Sequence, residues 1–60
     1  MKLRFIGKDE TRRLKTGKVY NVEIRTIGER VVIIVENPMD GHWYYPFNTI
    51  GTVTHYWRTP

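Results

Sequence analysis

The sequence predicts an all-β domain, a small five-stranded barrel spanning residues 1–60, and three observations carry that prediction. Val, Ile, Thr and aromatic residues dominate the apolar content, and these side chains fit a pleated, half-buried surface. Gly or Pro recurs at short intervals, which interrupts helices and marks turns. Through the stretch from Lys18 to Ile27 the apolar residues return at every second position, the period of a strand.

The first strand is expected at residues 2–6, where Lys2-Leu3-Arg4-Phe5-Ile6 alternates charge and bulk, and a basic loop follows at 7–16. The second strand, 17–27, points Tyr20, Val22, Ile24 and Thr26 one way and Asn21, Glu23 and Arg25 the other. Ile27-Gly28-Glu29-Arg30 then places glycine first in a two-residue loop, the requirement of a type II′ hairpin turn. That turn fixes the register of strand 30–36: Thr26 faces Val31, Ile24 faces Ile33 and Val22 faces Val35. On the other face Arg25 meets Val32 and Glu23 meets Ile34, so Val32 and Ile34 are either wrapped by a curling sheet or left as an adhesive strip.

Asn37-Pro38-Met39-Asp40-Gly41 has the chemistry of a turn, with proline pre-set in φ and glycine free to take positive φ. The aromatic run His42-Trp43-Tyr44-Tyr45-Pro46 forms the fourth strand, and proline, which cannot donate to a ladder, belongs at its edge or end. After a tight turn at 48–51, the β-branched and aromatic stretch 52–57 supplies the fifth strand. Five short strands point to a small barrel. An OB-fold, which usually needs a longer chain, is the alternative.

Sixty residues bury only about 60% of the surface that the unfolded chain exposes. With no cysteine, stability has to come from apolar packing and strand pairing. The lack of cysteine fits a reducing compartment, the N-terminus lacks the apolar stretch of a signal peptide, and no apolar run approaches the ~20 residues that cross a bilayer. A soluble cytoplasmic protein is expected.

The net charge is +4, unevenly spread: residues 1–18 hold Lys2, Arg4, Lys8, Arg12, Arg13, Lys15 and Lys18 against Asp9 and Glu10. Such an excess permits contact with nucleic acid or an acidic partner. Catalysis is not expected. There is no cysteine, no serine and no Gly-rich phosphate loop, and the two histidines, His42 and His55, fall on different strands. Asp40 beside His42 reads as a turn-capping aspartate next to a surface histidine. Neither a metal nor a cofactor is expected.

Two segments resemble parts of SH3 domains. Leu14-Lys15-Thr16-Gly17-Lys18-Val19-Tyr20-Asn21-Val22 is similar to the stretch that leads out of the SH3 RT loop, and Gly41-His42-Trp43-Tyr44-Tyr45-Pro46-Phe47-Asn48-Thr49-Ile50 to the segment before the last SH3 strand. The resemblance implies core positions for Tyr45 and Ile50, and a peptide groove lined by Tyr44 and Pro46. Thr49 stands where SH3 domains carry a groove tyrosine, loop 7–16 is short and basic rather than acidic, and no tryptophan pair opens the third strand. These departures argue against recognition of basic proline-rich peptides. Phe5-Ile6-Gly7-Lys8, Leu14, Gly17-Lys18, Tyr20-Asn21-Val22 and Tyr44-Tyr45-Pro46 also resemble small SH3-like proteins from phages and prophages of Gram-positive bacteria, whose function is largely unassigned.

Three functions are compatible with these residues. The first is a protein-interaction module, an accessory factor of phage type, using Tyr44 and Pro46 or the strip Val32 and Ile34. The second is a nucleic-acid-binding barrel in which Lys8, Arg12, Arg13, Lys15 and Lys18 neutralise phosphates while an exposed aromatic such as Trp43 stacks on bases. The third is a homo-oligomer formed through edge strands.

Overall fold

The computed structural model describes residues 1–10, 13–37, 39 and 41–60. The elements run β1 (Lys2–Phe5), β2 (Val19–Ile27), β3 (Arg30–Asn37), β4 (Gly41–Phe47), α1 (Ile50–Val53) and β5 (Trp57–Arg58). All strand pairs are antiparallel, in one five-stranded sheet of order β4-β3-β2-β1-β5. The chain is therefore all-β, but among the described residues no pairing joins the edges β4 and β5. The expected small barrel is not formed: the five strands make an open sheet. Its inner face is covered instead by side chains and by α1, which leads into β5 at one edge yet packs against β3 and β4 at the other.

The β2–β3 hairpin follows the expected register, with Val22 opposite Val35, Ile24 opposite Ile33 and Thr26 opposite Val31. Gly28 has φ +63°, and no described non-glycine residue has positive φ. Glu29 therefore does not share the left-handed conformation, and the turn is type II′ rather than I′.

This turn also decides how β4 presents its backbone. In a two-residue hairpin Ile27 and Arg30 form the hydrogen-bonded pair that closes the loop, and bonded and non-bonded pairs alternate from there. Val31, Ile33 and Val35 consequently aim their backbone groups at β4, where they meet Phe47, Tyr45 and Trp43. Tyr44 and Pro46 turn theirs outward along the free edge. Proline is tolerated inside this strand because its missing N–H falls where no ladder bond exists.

The core contains Leu3, Phe5, Leu14, Val22, Val31, Ile33, Val35, Val53 and Trp57, with Tyr20, Ile24, Trp43, Tyr45 and Phe47 half-buried against it. Ile34, on the opposite sheet face between Glu23 and Tyr44, is nevertheless only 8% exposed, while Val32 is half-buried. The outer strip is thus partly covered.

The expected fifth strand at 52–57 is corrected. Thr49, in extended conformation, accepts the Thr52 N–H on its side-chain oxygen at 3.3 Å and caps α1. The Thr54 hydroxyl donates to the Gly51 carbonyl at 2.7 Å, and the His55 and Tyr56 amides continue the turns onto Thr52 and Val53. Local hydrogen bonding by threonines overrides their β-propensity, leaving Trp57–Arg58 as a two-residue strand. Ile50, expected in the core, is 58% exposed, and Val53 occupies the core instead.

In the turn before β4, the Met39 N–H donates to Asn37 Oδ1 at 2.8 Å and Gly41 has φ +82°. Pro38 and Asp40 lie outside the described residues.

Candidate functional site

The described residues of loop 7–16 are held by several hydrogen bonds. The Glu10 N–H donates to the Leu14 carbonyl at 2.7 Å, and the Thr16 N–H and hydroxyl donate to Asp9 Oδ1 and the Gly7 carbonyl at 3.0 and 2.6 Å. The Gly17 N–H then donates to the Phe5 carbonyl at 2.7 Å. These bonds fold the loop over the sheet so that Leu14, only 1% exposed, plugs the core. Gly7 lets the rings pack against the backbone: a Cβ there would lie 2.7 Å from Phe5 Cζ and 2.9 Å from Tyr56 Cδ1.

Between this loop and the end of β4 lies a groove with a cavity volume of about 390 Å³. Its apolar wall is built from Phe5, Leu14, Tyr45, Phe47, Tyr56 and Trp57. Lys8, Asp9, Glu10 and Pro46 border it. The Phe47 and Tyr56 rings pack at 5.6 Å between centroids, and Trp57 and Phe5 form a T-shaped pair at 5.1 Å. Apolar lining with a few polar groups is the usual composition of a binding cleft.

Tyr45 ties groove to loop by donating its hydroxyl to Glu10 Oε1 at 3.3 Å. Burial pushes its phenol above the ordinary tyrosine value; a hydrogen bond from Arg13 opposes the rise and the Glu10 carboxylate adds to it. Because the folded value is raised, the associated stability is fully present below the unfolded value of about 10 and is lost as pH rises through the folded value. The expected outcome is a steeper alkaline loss of urea resistance in the natural chain than in Tyr45→Phe. Parallel curves would remove Tyr45 from that role.

The residues expected to bind protein come together, though not as one groove. Tyr44 pairs with Ile34 and Pro46 with Val32, so the four form a contiguous patch on the outer face of β3 and β4. Tyr44 is 63% exposed. Alternation sends it away from the groove, which Tyr45 and Phe47 line, while Pro46 borders both surfaces. Beside the patch Arg25 Nε donates to Glu23 Oε1 at 2.8 Å, and this bond holds the exposed Glu23 carboxyl below its ordinary range.

The expected nucleic-acid residues are less concerted. Lys15 Nζ lies 3.5 Å from Asp9 Oδ2, Arg13 sits 5.5 Å above the Trp43 ring, and Lys18 Nζ lies 5.3 Å from the Tyr20 ring. Lys8 is exposed at the groove border, and Arg12 lies outside the described residues. Trp43, expected as an exposed stacking platform, shares the inner face with Tyr45 and Phe47 and packs against the core. His42 lies beside Asn21 and Glu36, and His55 stands between α1 and β5, so the two line different cavities. Among the described residues no three His, Cys, Asp or Glu side chains gather as metal ligands, and no helix is long and apolar enough to cross a membrane.

Sequence reasoning missed Phe5, Leu14, Phe47, Tyr56 and Trp57 as groove walls. Phe47 carried a usable signal, its parity with Tyr45. Leu14 carried none, because a loop residue has no periodicity. Compared with protein-family models, curated proteins and solved structures, the chain finds no match in any of the three.

Proposed function

We propose that this chain is a non-catalytic protein-interaction module, an SH3-like fold left open at its edges, which takes a short apolar segment of a partner protein in the groove between loop 7–16 and the end of β4. The observation that carries this reading is the groove itself, whose apolar wall is assembled from Phe5 of β1, Leu14 of the loop, Tyr45 and Phe47 of β4, Tyr56, and Trp57 of β5. Aromatic side chains offer large contact area with few rotors to immobilise and are favoured at interaction sites. A cytoplasmic setting and an accessory role of phage or prophage type belong to the same proposal.

The alternative use of loop 8–18 for nucleic acid draws less support, since Lys15 is paired with Asp9 and Trp43, its expected stacking ring, packs against the core. Self-association along the free edge of β4 is the third reading, and sedimentation over a range of concentrations reads it directly.

The test starts from peptides selected on the purified chain from a random library. Tyr56→Ala, which removes an exposed groove wall, is expected to abolish their binding, and Tyr44→Ala, on the other sheet face, to leave it unchanged. Peptides that depend on Tyr44 and ignore Tyr56 would move the site to the outer patch and refute the groove.

A further inference from the structure

The outer face of the β2–β1–β5 end of the sheet carries a feature that the groove does not use. Along β1, Leu3 and Phe5 are buried and Lys2 and Arg4 point out. The register sets Arg4 directly opposite Arg58 of β5 and opposite Val19 of β2, and sets Lys2 opposite Asn21. Residues so opposed have Cβ atoms about 4.5–5.5 Å apart, and like charges at that spacing weaken a sheet.

The inner face explains how the arginines meet. Phe5 pairs with Trp57 and their rings touch, so the aromatic contact fixes a register that brings Arg4 and Arg58 together. Among the described residues no carboxylate relieves them: the ion pairs there are Lys15 with Asp9 and Arg25 with Glu23. Arg4 donates Nη1 to the Gly17 carbonyl at 2.6 Å, which positions its guanidinium without neutralising it.

We propose that Lys2, Arg4 and Arg58 form a binding face for the phosphate backbone of nucleic acid, duplex in preference to single strand. Arginine pairs suit phosphate because the planar fork of donors matches its oxygens. The outward neighbours, Val19 and Asn21, are half-buried and polar respectively. They provide no exposed ring to stack on an unpaired base, and no large apolar group to enter a bilayer. Recognition is then electrostatic, which favours the denser charge of a duplex. This face shares no residue with the groove, so either reading can fail while the other stands.

The test is fluorescence anisotropy of a short labelled duplex of mixed sequence with the full chain, titrated with salt. Three phosphate contacts predict that affinity falls about 500-fold for each tenfold rise in salt, and that Arg58→Gln lowers the slope by about one. Relief of the like-charge pair predicts that Arg58→Gln melts no lower than the natural chain. Lys2→Gln, which leaves the arginines in place, is a second variant expected to weaken binding. Arg25→Gln with Arg30→Gln removes as much charge as Arg4→Gln with Arg58→Gln, yet is expected to leave the affinity in place. The proposal is overturned by no binding at low salt, by equal losses in the two double variants, or by reduced stability of Arg58→Gln. Equal capture by phosphatidylserine vesicles or polyglutamate also overturns it.

Discussion

Trp57→Ala is expected to leave the chain largely unfolded at room temperature. Trp57 is 3% exposed, forms T-shaped ring pairs with Phe5 at 5.1 Å and Tyr20 at 6.1 Å, and supplies half of a two-residue strand. Truncating a buried aromatic to alanine costs about 3–5 kcal/mol. At roughly 0.05–0.15 kcal/mol per residue, a chain of 60 residues holds only about 3–9 kcal/mol in total. The loss is therefore comparable to the whole. Trp57→Phe, which keeps a ring against Phe5, is expected to fold with a lower urea midpoint. Circular dichroism measures both variants without relying on the indole that the substitution removes. A midpoint for Trp57→Ala close to that of the natural chain would show that β5 is dispensable.

Leu14→Ala is expected to do comparable damage through a different route. The side chain is almost wholly buried although it belongs to a loop, so its removal leaves a cavity and costs about 2–5 kcal/mol. Leu14 is also the apolar anchor of loop 7–16, and the groove depends on that loop for one wall. Faster amide exchange at Glu10, Thr16 and Gly17, whose N–H groups bond within or beneath the loop, should accompany weaker peptide binding. The central Ile33 amide should respond less, because its strand is paired on both sides. Leu14→Met, close in volume, should cost less than about 1.5 kcal/mol. Uniform acceleration of exchange across loop and strands would show that the loop has no separate stability.

The β2–β3 hairpin was legible in the sequence because one local rule and one pattern agree there. Gly28 specifies the turn, and the apolar row Val22, Ile24, Val31, Ile33 and Val35 tolerates only the register that the turn produces. The expectation of a strand at 52–57 fails because composition there favours a strand while the hydrogen bonding does not. Thr49 and Thr54 spend their hydroxyls on the local backbone, and composition does not announce that choice. Parity separates Tyr44 from Tyr45, and applied to Trp43 it would have removed that residue from the exposed set. Arg58 was invisible for a non-local reason: its opposition to Arg4 depends on a pairing between chain segments far apart in sequence.

Pro46 bears on how the molecule behaves in a crowd. Along the outer margin of β4 the alternation of bonded pairs turns the backbone groups of His42 and Tyr44 away from β3, and the next position in that row, Pro46, carries no amide. A second chain laid against this margin would gain a short run of bonds and then meet a gap, so the strand is a poor template for fibre growth. The same interruption lets an aromatic, apolar segment sit at the rim of a small sheet with less risk of seeding polymers when the protein is abundant.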